Sequence, residues 1–292
     1  MATENQTEHH VENPFEYVLE KLAWSVGDVG RALLPNPARH IGQAVPQVRR
    51  ITVADLRDAL RKGLADVGAL RDDILFIGVI YPVAGLALAR LAFSYDLLPM
   101  LFPLASGFAI LGPVAAVGLY EMSRKREAGE RVTWATAFDV FRSPALSSIL
   151  GVGAILLLLF VLWLATAGEI YIATLGPEPP QTLAAFERGV FQSPEGWMLI
   201  GAGIGAGFLF AVAAFVIGAV SFPLLLDRDV GMWRAIGTSI RAVTQNLGVM
   251  ALWGVIVAVS LALGSLPGLV GLIIVVPMLG HATWHLYRKL IV

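Results

Sequence analysis

No cysteine occurs among the 292 residues, which excludes disulfides, thiolate metal sites and cysteine nucleophiles together. Charge is scarce as well: 15% of the residues are charged and 57% are hydrophobic, whereas soluble domains carry about 25% charged residues. With a mean hydropathy of +0.71, the chain is suited to hydrocarbon rather than to water. There is no basic surplus, the formal net charge being −1, so a nucleic-acid footprint is missing. No glycine-lysine loop points to an NTPase, and no spacing of serine, histidine and acid points to a hydrolase. The first 70 residues hold acids and Pro35, Pro37 and Pro46 but no apolar core beside a small-residue cleavage site, which argues against a cleaved signal peptide.

Long apolar runs are what the chain does have. Six of them approach the roughly 20 residues a helix needs to cross about 30 Å of hydrocarbon: 74–93, 97–120, 145–167, 197–226, 247–264 and 266–287. They are continuous rather than alternating, which excludes membrane strands. The short links at 94–96 and at GSLPG, 264–268, make the first pair and the last pair of spans antiparallel hairpins. Nineteen of the 21 lysines and arginines fall on one side of this arrangement; Arg90 and Arg188 are the exceptions. Basic loops are retained in the cytoplasm, so both termini are expected there. Residues 1–47 read as a polar, partly disordered cytoplasmic segment, and 48–289 as the integral membrane domain.

A helical pattern precedes each hairpin. In TVADLRDALRKGLADV, residues Val53, Leu56, Leu60, Leu64 and Val67 form one stripe with Arg57, Asp58 and Arg61 away from it, as an amphipathic helix requires. Thr52 and Asp55 have the spacing of a capping box. TWATAFDVFR and MWRAIGTSIRAV are shorter versions, with Trp134 eight residues before Arg142 and Trp233 eight before Arg241. Such helices are expected to lie in the cytoplasmic interface, aromatic at headgroup depth and arginine toward lipid phosphate; a soluble linker helix would show the same pattern. Pro113, Pro223 and Pro277 each precede an arginine by eleven residues, at Arg124, Arg234 and Arg288. From this we expect three repeats of interfacial helix plus hairpin, about 50–125, 132–231 and 232–288. The prolines are expected to kink their helices.

Few residues offer chemistry. GAGIGAG places Gly201, Gly203, Gly205 and Gly207 inside an apolar span, so it reads as a small-residue face for close helix packing, not as a nucleotide loop, which needs a strand before it. In HATWHLYRK the residues His281, Trp284, His285 and Arg288 share one helical face. Two histidines at i and i+4 can share a metal ion, though the glutamate of the metalloprotease helix is absent. Two haem ligands would have to stand on opposite sides of the ring plane, which one helical face cannot supply. Glu121, Asp227, His281 and His285 could meet at the cytoplasmic end as a proton-accepting or cation-binding cluster; an interfacial collar of salt bridges with Arg124, Arg228 and Arg288 is the alternative. Trp134, Trp233, Trp284, Tyr287 and Arg288 read as interfacial anchors. No catalytic residue and no cofactor are assigned.

The blocks VRRITVADLRDALRKGLAD, GPVAAVGLYEMSR, SFPLLLDRDV and MLGHATWHLYRK together resemble an uncharacterised family of predicted bacterial integral membrane proteins, a domain of unknown function. The resemblance spans about residues 48–289. It implies a bacterial inner-membrane location and no established activity. Some members carry the label cytochrome c oxidase subunit I, but that subunit has about twice as many spans and six histidine ligands within its helices. This chain has His281 and His285 near one helix end, and His9, His10 and His40 in its polar start. The expectation is therefore an all-α, non-enzymatic accessory or scaffold protein whose partners are membrane lipids and other membrane proteins. A small carrier or channel is the alternative, and a metal- or haem-linked accessory of a respiratory terminal oxidase the second.

Overall fold

The computed structural model describes residues 46–69, 83, 85, 86, 90, 98–178, 180 and 182–292. Most of the expected first span at 74–93, nearly all of the N-terminal segment and the link at 94–96 lie outside them. Among the described residues the chain is helical, and its only extended pairing is an isolated antiparallel bridge between Val48 and Ile291.

The first described helix, α1, covers Val53–Ala69. Its start is closed as the sequence predicts: the Thr52 amide donates to Asp55 Oδ2 at 2.9 Å and the Asp55 amide to Thr52 Oγ1 at 3.4 Å. A short 3-10 turn, Leu98–Met100, leads into α2, Leu101–Ala115, and α3, Val117–Glu127. The break between α2 and α3 follows Pro113, which removes a backbone donor. The interfacial pattern at 133–142 folds as a 3-10 helix, Trp134–Arg142, with Thr133 and Thr136 capping each other. Next come α4, Leu146–Leu175, and the short α5, Leu183–Gln192, which carries Arg188. Ser193 and Pro194 then start α6, Pro194–Asp227; a serine N-cap before a proline at the first helical position is a strong start signal. The remaining helices are α7, Met232–Gln245, α8, Leu247–Ser265, and α9, Leu272–Leu290.

Three of these, α4, α6 and α8, are long and apolar enough to cross a bilayer, and the bent pair Leu98–Gly107 and Ala109–Glu127, turned by 41°, passes the same test as one unit. The last helix begins at Leu272, later than the hydropathy suggests, because Gly268 and Leu269 take left-handed backbone conformations in the preceding turn. Its second half carries His281, His285, Arg288 and Lys289, and so is apolar only in its first turns.

Packing of the spans centres on Trp163, fully buried in α4. Its indole donates to the Pro103 carbonyl at 2.9 Å, and its ring lies against Phe210 and over Gly207 of α6. Helix α7 packs on α6 and inserts Ser239 into its ladder: the Val220 amide donates to Ser239 Oγ at 3.2 Å, and Ser239 donates to the Val216 carbonyl at 2.7 Å. At the other end of the chain, Asn246 fastens the start of the domain. It accepts from the Ile51 amide at 2.8 Å and donates to the Arg49 carbonyl at 3.1 Å. The Arg49 amide also donates to the Leu290 carbonyl at 2.8 Å, so the beginning and the end of residues 46–292 are tied together.

Helix α1 departs from the expected stripe. Its buried face is Leu56, Ala59, Gly63 and Asp66, while Val53 and Leu64 are exposed. The reason is its partner: α1 packs along α9, and Gly63 meets the Ala282 backbone so closely that only small residues fit between them. The sequence stripe marked hydrophobicity; the close approach of two helices selected the small face instead.

Candidate functional site

The last turns of α9 run between α1 and α3, and there the charged and hydrogen-bonding side chains gather. Ser123, buried on α3, has one hydroxyl proton and two close neighbours: Asp66 Oδ2 at 2.7 Å and His281 Nδ1 at 2.6 Å. An ionised carboxylate can only accept, so Ser123 donates to Asp66 and accepts from the Nδ1–H of His281. The neutral tautomer of His281 follows from this network. His285 Nε2 donates to the same Asp66 oxygen at 2.9 Å, and Arg126 closes on Asp66 Oδ1 at 2.8 Å. Asp66 is thus a buried carboxylate that accepts from three side chains on two other helices. Burial by itself would push its carboxyl up; the hydrogen bonds from His285 and Ser123 outweigh that and hold it below the usual carboxylate range.

One atom in this network is left over. His281 Nε2 is completely buried and has no hydrogen-bond partner. Other members of the network, Asp66, Ser123 and His285, line an open surface cleft of about 330 Å³ together with Lys62, Arg126 and Glu127. Asp66, Ser123 and His281 are the residue types of a hydrolytic triad, brought together although their sequence spacing gave no sign of it. Their wiring differs from that of a triad, in which histidine stands between serine and acid so as to take the serine proton. Here serine stands in the middle, and the proton acceptor facing its hydroxyl is a carboxylate already holding several donors. What the chain of bonds His285, Asp66, Ser123, His281 can do is hold three helices in register and pass protons between its members.

The expected cluster of Glu121, Asp227, His281 and His285 is divided in three. The histidines share Asp66 and Ser123. Glu121, also buried, is clamped by Arg124 through two bonds of 2.7 and 2.8 Å. Asp227 accepts from the Tyr287 hydroxyl and lies 3.4 Å from Arg228 and 3.5 Å from Arg288. Among the described residues, no group of three or more histidine, aspartate and glutamate side chains is arranged to hold a metal ion.

The anchor residues also divide. Trp134 and Trp233 are 46% and 52% exposed, but Trp284 and Tyr287 are each 1% exposed. These last two therefore do not face headgroups. Because α1 and α3 cover this end of α9, their polar tips turn to protein carboxylates: the Trp284 indole donates to Glu127 at 2.9 Å, Tyr287 donates to Asp227, and Arg288 lies 3.3 Å from Glu127. Of the four glycines read as a packing face, Gly207 lies under the Trp163 ring, whereas a side chain at Gly201, Gly203 or Gly205 would meet open space. The residues that sequence reasoning missed are Asp66, Ser123, Arg126 and Glu127. A sign of Asp66 was present: it continues the small-residue line Ala59, Gly63 at helical spacing, so it shares their face.

A bundle of helices, three of them long and apolar enough to cross a bilayer, defines a helical integral membrane protein. Residues 100–227, from the residue before α2 to the last residue of α6, match the model of a family described as predicted integral membrane protein (DUF2189). No curated protein and no solved structure matches the chain.

Proposed function

We propose that this chain is a non-enzymatic accessory or scaffold protein of a bacterial inner membrane, which works by holding lipids and other membrane proteins. In this reading it crosses the bilayer six times as three hairpins, each preceded by an interfacial helix, with both termini in the cytoplasm. One observation carries it: where the polar side chains point. Hydroxyls in the apolar helices close on carbonyls of their own helix, as Thr166 does on Leu162 at 2.8 Å and Ser265 on Leu261 at 2.8 Å. The Trp163 indole, deep in the bundle, closes on a carbonyl as well. The charged cleft sits at the end of the bundle among α1, α3 and α9. A carrier needs polar side chains lining a path toward mid-membrane, where each unsatisfied group is costly.

The reading is tested with the full chain in proteoliposomes containing a pH-sensitive dye, under imposed proton and potassium gradients. We expect dissipation no faster than in protein-free vesicles. Flux that Asp66→Asn abolishes would replace this reading with the carrier. An optical spectrum and elemental analysis of the same preparation test the haem- and metal-linked reading, which a haem band or a stoichiometric transition metal would favour.

A further inference from the structure

Helix α7 presents two unlike faces. Met232, Ala235, Ile236, Ser239, Ala242 and Val243 are buried, and the helix packs on α6, which fixes the direction of the opposite face. That face exposes Trp233, Ile240 and Arg241. Only Asn246 separates α7 from α8, a membrane-length helix whose first residue, Leu247, is exposed too. The start of α7 lies beside Gly151 in the first turns of α4, against the Met232 side chain, so this face belongs to the end where both α4 and α8 begin.

The 3-10 helix Trp134–Arg142 has the same plan. Trp134, Phe138 and Phe141 are exposed; Trp134 meets Phe138 edge to face at a ring-centroid distance of 6.1 Å, Phe138 and Phe141 stack at 6.4 Å, and α4 starts four residues after Arg142. The two faces differ in charge. Arg142 already lies 3.0 Å from Asp139, which Lys125 also engages at 2.8 Å. Arg241 touches only the Thr238 hydroxyl at 3.1 Å and the Gly237 carbonyl at 3.3 Å; among the described residues it has no carboxylate partner, and α7 contains no acid.

From this difference we infer that the outer face of α7 is a seat for an anionic phospholipid, with Trp233 and Ile240 in the acyl boundary and Arg241 on the headgroup phosphate, while the 3-10 helix inserts its aromatics without selecting headgroup charge. The inference rests on the membrane reading above and names the lipid class for one of its surfaces. An aromatic at the membrane boundary is favoured there whatever the headgroup, whereas an arginine near the surface without a partner enriches anionic lipid by about fivefold.

The native chain has no cysteine, so single thiols can be added without background. Ile240→Cys, Phe138→Cys and Leu158→Cys are each labelled with bimane in the full chain, which is then reconstituted with acyl-brominated phosphatidylglycerol or phosphatidylcholine. Leu158 is an exposed residue within α4 and reports whether that helix is in lipid at all. The label at 158 is expected to be quenched equally by both lipids, as is the label at 138. The label at 240 is expected to be quenched several-fold more steeply by the anionic lipid, and Arg241→Gln should abolish that preference. Equal quenching at 240 by both lipids, no quenching there while 158 is quenched, or a preference that survives Arg241→Gln each overturns the inference alone. An unquenched label at 158 overturns the membrane reading and the inference with it.

Discussion

Helices α1 and α9 touch through Gly63 and Ala282, where a Cβ on Gly63 would stand 2.6 Å from the Ala282 amide nitrogen. Since the obstacle is backbone, it cannot turn aside as a flexible side chain would. Gly63→Leu is expected to cost about 1–3 kcal/mol and to release α1 from the bundle. Gly68, on the same helix with nothing within 4 Å, serves as the control: Gly68→Ala should be neutral or stabilising by up to about 1 kcal/mol. Thermal denaturation in detergent compares the two. A Gly63→Leu protein as stable as Gly68→Ala would remove the close contact from the account.

Ser123→Ala removes both the donor to Asp66 and the acceptor of the His281 Nδ1–H. A buried polar group left unsatisfied costs about 1–3 kcal/mol, so the variant should melt earlier by that order. His281→Leu in the Ser123→Ala background should recover part of the loss, because the orphaned ring is then gone. No recovery in the double variant would show that the two side chains are not coupled.

The junction is also sensitive to acid. The folded-state value of Asp66 lies below its ordinary value, so its contribution to stability is fully present above the unfolded-state value of about pH 4. That contribution is lost as pH falls through the folded value. Asp58, held well below the usual range by Lys289 and Arg61, acts in the same sense between the same two helices. Lowering the pH below 4 is therefore expected to speed hydrogen exchange in 53–69 before it does so in 150–165. Asp66→Asn should weaken α1 docking already at neutral pH and flatten this dependence. Exchange that rises together in both segments would separate the junction from the acid response.

Along the glycine run of α6, Gly207→Leu would drive a side chain into the Trp163 ring, 3.1 Å from a Cβ, and should cost about 1–3 kcal/mol. Gly205→Leu meets nothing within 4 Å, and its effect should stay within about 0.5 kcal/mol. The run itself suggests equal sensitivity at Gly201, Gly203, Gly205 and Gly207, so the ratio of the two losses, read from melting in detergent, distinguishes a shared glycine face from a single contact.

The proposed topology makes a simple prediction. A thiol at Gly176, in the turn after α4, should react with an impermeant maleimide from outside the cell. One at Gly129, after α3, should react only after permeabilisation. Both glycines have positive φ and nothing within 4 Å of a Cβ, so each has room for a side chain but is strained for other residues; the exposed Pro177 and Glu130 provide unstrained neighbours as Pro177→Cys and Glu130→Cys. Labelling of both positions from the same side would reverse the reading.

Properties confined to a short window of sequence were determined there. Continuous hydropathy marked α4, α6 and α8, because each of these helices satisfies its own backbone and needs only apolar residues of sufficient number. The Thr52–Asp55 cap was legible for the same reason, since its partners are three residues apart. The eightfold spacing of Trp233 and Arg241 sufficed to put both on the exposed side of α7. Where two helices compete for one face, local pattern fails. Leu64 has the hydrophobicity to be buried and Asp66 does not, yet Leu64 is exposed and Asp66 buried. Gly63 brings α9 close at that point, and the partners that satisfy the carboxylate come from 57 and 219 residues away. Trp284 and Tyr287 show the same limit: an aromatic with a polar tip looks alike in sequence whether that tip meets a lipid headgroup or a buried carboxylate. Only the packing of α1 and α3 over α9 decided between them, because a charge or hydroxyl is satisfied by whatever stands within hydrogen-bond reach in space, and sequence order does not encode that reach.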